Sequence, residues 1–197
     1  MIFKDVNFIW NTSNSGFAKA NNQALKIASG DYILFLNPDT LLPEDCFEKC
    51  ISFIQLQKND CALGIKMIDG SGKFLKESKR AFPSPMTSLY KLSGFAKLFP
   101  HSKIFAKYHL GYLCENENHE VDVLAGAFMM IPKKILNVVN GFDEAFFMYG
   151  EDVDLSFRIQ QAGFKNFYFA ESSIIHFKGE STKKGSLNYV KMFYKAM

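Results

Sequence analysis

Asp31-Tyr-Ile-Leu-Phe-Leu-Asn-Pro-Asp-Thr40 opens with five consecutive large apolar residues and closes on a cluster of turn formers. The run Tyr32–Leu36 is rich in β-formers and predicts a strand buried on both faces. Pro38 cannot donate to a sheet ladder, so the strand should stop at Asn37. That places Asn37 and Asp39 at the carboxyl end of a buried strand, where open α/β sheets bind their ligands. An Asn-x-Asp pair there offers oxygen ligands to a hard divalent cation of the kind that accompanies phosphates. A plain turn is the alternative, because Asn, Pro, Asp and Thr all form turns.

Before this segment, Val6–Trp10 predicts a short strand and Asn11–Gly16 a loop. Phe17, Ala20, Ala24 and Ile27 recur at helical spacing, so a helix should run from about Phe17 to Ser29 and end at Gly30. Strand, loop, helix and strand make a βαβ unit with its two strands parallel. The loop before the helix presents backbone N–H groups that suit a phosphate, or simply admits the chain to the helix. After the turn, Pro43 sits just inside a helix reaching about Lys58, with Cys46 and Cys50 on its buried face. Cys61–Ile68 predicts a strand, Asp69–Gly72 a turn, and Phe74-Leu75 the start of a return strand.

Residues 80–120 change character: aromatic residues alternate with lysines and histidines. Leu89, Leu92, Ala96 and Phe99 fit one face of an amphipathic helix. The stretch reads either as a lid or interfacial segment facing anionic lipid, or as a helical excursion packed on the core with its lysines in water. Val121–Ile131 predicts a buried strand in which Gly126 marks a kink or a close backbone approach. Pro132 should open a helix that Asn140-Gly141 closes. Phe142–Gly150 is a loop too apolar to be merely solvated, and Glu151-Asp-Val-Asp154 opens a helix to about Ala162. Acidic groups there also suit the helix dipole, so capping is the plain alternative to chemistry. Asn166–Phe169 and Ser173–His176 predict short strands, and the end of the chain a helix.

The 197 residues can bury a sizeable core, and 48% hydrophobic with 22% charged residues is ordinary for a globular protein. A net charge of +3 is too small to imply a nucleic-acid surface. No run of apolar residues is long enough to predict a transmembrane helix, and Met1-Ile-Phe-Lys-Asp5 is no signal peptide. The expected location is therefore cytoplasmic with reduced thiols, or membrane-associated on the cytoplasmic face if residues 80–120 are interfacial.

Three segments together resemble the inverting glycosyltransferases of family 2, especially the rhamnosyltransferase-like branch: Asn14–Asn22, Leu36–Thr40 and Gly141–Leu155. Val121–Ala127 is similar to that family's strand beside the acceptor, and His176–Gly179 with Ser181-Thr182 to its closing His segment. The resemblance implies a GT-A-type, Rossmann-like α/β fold: a mixed sheet flanked by helices, in one catalytic domain with 80–120 as an excursion. It implies a nucleotide-diphosphate sugar as donor, a glycan or lipid-linked acceptor, and Mg²⁺ or Mn²⁺ as cofactor. Asp39 matches the second acid of the family's Asp-x-Asp element, with Asn37 in place of the first. Asp152 matches the catalytic base and Glu151 supports it, while His176 either completes the metal or phosphate shell or is simply a satisfied histidine at a strand end. Asn14, Gly16, Asn21, Asn37 and Arg158 fall on the donor side, although Arg158 could equally pair with a neighbouring acid. Asp122, Gly126, Ala127 and Tyr149 fall on the acceptor side. The apolar loop Phe146–Tyr149 is expected to desolvate Asp152. Set against that family, the chain lacks roughly the first seventy residues and the end of the last helix. The expectation that follows is a poor enzyme on its own, and the competing one a non-catalytic module that binds an acceptor or a partner.

Overall fold

The computed structural model describes residues 6–177. Its elements are α1 (Phe17–Ile27), β1 (Tyr32–Leu36), β2 (Thr40–Leu41), α2 (Cys46–Leu56), β3 (Cys61–Ile68), α3 (Pro85–Leu92), α4 (Phe95–Leu98), β4 (His119–Glu120), β5 (Phe128–Pro132), α5 (Lys133–Val139), α6 (Glu151–Gln161) and β6 (Lys165–His176). They build a mixed sheet of order β1-β5-β3-β6-β2, with β4 added to β6. β3 and β6 run parallel, and the other pairs are antiparallel.

Strand periodicity assigns the layers. Ile33 and Phe35 of β1 and Met129 and Ile131 of β5 face a core shared with Ala18, Ile135, Leu136, Leu155 and Ile159. Their alternates Phe128 and Met130 face a second core with Cys46, Cys50 and Ile54. So α1, α5 and α6 cover one face and α2 the other, the expected helix-flanked α/β sandwich. The predicted buried face of α2 is that second core, and its cysteines are free thiols. Asn140 (φ 59) and Gly141 (φ 64) end α5 in the left-handed conformation, as a helix stop requires.

Several expectations need correction. Val6–Trp10 forms no strand: it is exposed, with Trp10 86% accessible, and it pairs with nothing in the described sheet. The parallel βαβ pairing therefore falls, and β1 pairs antiparallel with β5 instead. β1 is fully buried only at Ile33 and Phe35, because Tyr32 and Leu34 look toward the thinner, single-helix layer. Only Phe128–Pro132 of the predicted strand at 121–131 is strand; the part before it is held by an isolated bridge from Val123 to Arg80 and a turn from Ala125 to Phe128. Asn166–Phe169 and Ser173–His176 belong to one strand, with a register shift opposite Ile65/Lys66. The amphipathic helix through Leu89 and Phe99 is broken at Gly94 (φ 82) into α3 and α4, and Leu89, Leu92 and Phe99 face outward. The helix expected after Ser181 lies outside the described residues, as does the segment following Phe177.

Candidate active site

β1 ends at Leu36, and Thr40 closes the following turn by donating from Oγ1 to the Asn37 carbonyl at 2.7 Å. The turn leads into β2, which pairs with the end of β6 and sets Thr40 opposite His176. That pairing brings His176 Nε2 to 3.4 Å from Asp39 Oδ1, both side chains about nine-tenths buried. His176 Nδ1 is buried without a hydrogen-bond partner among the described residues. A neutral imidazole nitrogen and a carboxylate oxygen side by side each offer a lone pair that a cation could take. Among the described residues no group of three or more His, Cys, Asp or Glu is gathered for a metal ion.

The second half of the site hangs on the start of β5. Asn37 N–H donates to Ala127 O at 3.0 Å, and the neighbouring Gly126 N–H donates to Asp152 Oδ2 at 3.3 Å. The turn that carries Asp39 and the carboxylate of Asp152 are thus both tied to the two residues before β5. Asp152 is delivered by a sharp reversal: Tyr149 (φ 69) and Gly150 (φ 90) both adopt left-handed backbone directly before α6. For a tyrosine that conformation is strained, and strain held in place by its surroundings concentrates at functional sites.

Asp152 Oδ2 accepts from Arg80 at 2.5 Å, with the two side chains only 12% and 17% exposed. Arg80 also donates to Leu124 O at 2.8 Å. Asp152 Oδ1 accepts from Val153 N–H at 2.8 Å, and Ser156 Oγ ties the Asp152 carbonyl to Leu124 N–H. With two donors on Oδ2 and one on Oδ1, the lone-pair capacity left on the carboxylate is on Oδ1. Arg80, the partner of Asp152, is not among the residues the sequence points to. A signal was present: the chain has 23 Lys and Arg, of which only Arg80 and Arg158 are arginines, and both hold buried or part-buried carboxylates.

The loop Phe146–Tyr149 packs on the start of α1, where Phe147 O accepts from Phe17 N–H at 3.0 Å. The neighbouring acid Glu151 is buried, and its carboxyl is pushed up to about 7 by that burial, with Asp152 adding to the shift. Native Glu151 therefore holds a proton that the unfolded chain releases near 4.5. Between those values the native state binds more protons, so stability should fall as pH rises from 4.5 to 7 and level off above. The loss should be about 3 kcal/mol, and Glu151→Gln should remove this part of the dependence. Urea unfolding at pH 5 and pH 8 checks it: equal slopes of stability with pH in the two proteins would contradict the assignment.

The donor-side residues on α1 serve the protein's own joints. Asn14 Oδ1 accepts from Gly16 N–H at 3.0 Å, and with Phe17 N–H taken by Phe147, two donors expected to face a phosphate are occupied. A Cβ at Gly16 would meet Phe147 O at 2.4 Å, so the glycine is there for close approach. Asn21 turns back onto Phe17 O at 2.9 Å. Arg158 bonds Asp154 at 2.6 Å and the carbonyls of Val139 and Gly141 at 2.6 and 2.8 Å, clamping α6 to the end of α5. It lines a groove of about 740 Å³ between α1, α5 and α6 that contains none of Asp39, Asp152 and His176. On the acceptor side, Asp122 Oδ2 accepts from Phe82 N–H at 3.1 Å and fixes the chain just after Arg80. Ala127 is buried, and Gly126 stands against Asp152 with room for a methyl group.

Residues 2–137 match glycosyl transferase family 2, and residues 114–195 match the N-terminal domain of galactosyltransferase. The chain is 29% identical over 171 residues to the rhamnosyltransferase WbbL of Escherichia coli K12, covering 82% of this chain and 61% of that protein. It is 26% identical over 167 residues to the N-acetylglucosaminyl-diphospho-decaprenol L-rhamnosyltransferase of Mycobacterium tuberculosis, covering 84% of this chain and 53% of that one. The chain thus spans between half and two thirds of the length of these curated relatives. Among solved structures, GalNAc-T7 with UDP, GalNAc and Mn²⁺ superposes with a TM-score of 0.58 at 16% identity, over 93% of this chain and 35% of that one. S. aureus TarS 1-349 in complex with UDP-GlcNAc superposes with a TM-score of 0.54 at 16% identity, over 95% and 47%. Both likenesses are of the fold, and they bear out the GT-A-type architecture.

Proposed function

This chain belongs to glycosyl transferase family 2, and on that footing we propose that it transfers a sugar from a nucleotide-diphosphate sugar to a hydroxyl of a glycan or lipid-linked acceptor, with inversion. The observation that carries the reading is that two unlike sites are tied to the two residues before β5: the turn of Asp39, which meets His176, and the carboxylate of Asp152. The rhamnosyltransferase names of the relatives, one of which specifies a lipid-diphosphate acceptor, support the substrate classes. Residues 1–197 are read as part of one catalytic domain from which 80–120 is an excursion.

In this reading Asp39 and His176 would hold Mg²⁺ or Mn²⁺, which when bound offsets the charge that develops on the departing diphosphate. Asn37 closes the donor side of the same turn. Asp152 Oδ1 receives the proton of the acceptor hydroxyl as that oxygen attacks the anomeric carbon. Arg80 and Gly126 N–H hold Oδ2 and so aim Oδ1. Glu151 shapes the turn into α6 from a buried position, and Asp122, Ala127 and Tyr149 frame the acceptor side.

Asp39→Ala tests the donor half. Calorimetric titration with a nucleotide sugar, with and without Mn²⁺, should show metal-dependent affinity in the wild type and none in the variant, while the circular dichroism of the two agrees. Equal metal dependence in both would place the cation elsewhere.

A further inference from the structure

We propose that the α3–α4 segment is a docking surface for an anionic lipid bilayer. Leu89, Leu92, Phe95, Leu98, Phe99 and Ile104 are all between 46% and 86% exposed, a density of large apolar side chains in water that a free surface rarely sustains. They are held firmly. Ser84 and Thr87 form a capping box around Pro85 at the start of α3, and Tyr90, Phe95 and Phe99 gather their rings on Phe105 at 5.0 to 5.4 Å.

Charge selects the partner. From Ser78 to Cys114 the chain has six Lys and Arg and no Asp or Glu. Arg80 is paired with Asp152 and Lys79 is buried, so the charge that this excursion offers to a partner is that of its exposed lysines, with no acid among them. Lys91, Lys97, Lys103 and Lys107 are exposed among the apolar residues. A cavity of about 590 Å³ beside them is lined by Lys76 and Lys91 against a single carboxylate, Glu115, while Lys79 in its wall is taken up by Leu110 O and Leu113 O. Apolar side chains that enter the acyl boundary, rimmed by lysines that meet headgroup phosphates, are what interfacial binding needs. A symmetric contact with a second copy would set these lysines against themselves. A nucleic-acid backbone would satisfy the lysines and leave Leu92 and Leu98 in water.

The segment is rooted at the candidate site, since Arg80 holds Asp152 and Phe82 N–H is held by Asp122. Vesicle binding needs neither donor nor Asp152, so its outcome is independent of the transfer reaction.

The test is co-sedimentation of the full chain with vesicles of phosphatidylcholine alone and of phosphatidylcholine with phosphatidylglycerol. Binding to the anionic vesicles is expected, with little to the neutral ones. Leu92→Ser/Leu98→Ser, at positions 86% and 69% exposed and therefore harmless to folding, should weaken it at least about tenfold. Lys97→Ala/Lys103→Ala/Lys107→Ala should weaken it about 100-fold. The proposal is overturned if the wild type ignores anionic vesicles, or if neither variant alters binding. It is also overturned if light scattering shows a dimer that the Leu→Ser pair dissociates, or if the chain binds single-stranded RNA in preference to the vesicles with the Leu→Ser pair unaffected.

Discussion

Asp152→Asn is expected to lower transfer about a thousandfold and leave donor affinity within about threefold. The carboxylate stands where α6 begins, 17% exposed, and among the described residues its Oδ1 oxygen carries only the Val153 N–H. An amide keeps the shape and can still face Arg80, but it cannot take the proton of an attacking hydroxyl. The donor contacts proposed for Asn37 and Asp39 do not involve Asp152 and should survive. The exchange also leaves the buried Arg80 opposite a neutral group, at a cost of about 2 kcal/mol, so the comparison is made well below the variant's unfolding midpoint. Transfer within a few-fold of wild type would remove Asp152 as the base.

The second large effect is on the fold. Arg80→Ala should destabilise the protein by about 3 to 5 kcal/mol, because it strands the Asp152 carboxylate in a part-buried site and takes a donor from Leu124 O. Arg80→Met combined with Asp152→Leu should recover most of that loss, since removing both charges removes the desolvation cost with them. Urea unfolding of the two single variants and the pair gives the coupling directly. If Arg80→Ala unfolds at the wild-type midpoint, the ion pair contributes nothing and cannot be what positions Asp152.

Much of this arrangement is legible in the chain, and the misses share a cause. β1 and its stop at Asn37, the Cys46/Cys50 face of α2 and the Asn140-Gly141 helix stop are local signals, each set by residues within a turn or two. Val6–Trp10 looks equally strand-like, but a strand exists only with a partner, and none of the described strands pairs with it. The apolar period through Leu89 and Phe99 is real, yet Gly94 breaks it, and its apolar side chains point to the surface. The Arg80–Asp152 pair joins residues 72 apart in the chain, through the bridge between Arg80 and Val123 and the turn into β5. No spacing rule reaches that far, although the scarcity of arginine in a lysine-rich chain marks both positions. Asp39 and His176 meet only because β2 is laid antiparallel on β6. Their resemblance to a family motif names them, and the strand pairing puts them 3.4 Å apart.

A single displacement served by one carboxylate would invert the anomeric carbon. The most direct test is the configuration at the anomeric carbon of the product, read from the proton coupling constants of the transferred sugar by nuclear magnetic resonance. Inversion relative to the donor is the predicted result. Retention, whether by two successive displacements through a covalent sugar–enzyme intermediate or by attack on the face that the diphosphate leaves, would contradict a single in-line displacement with Asp152 as the base acting on the acceptor hydroxyl.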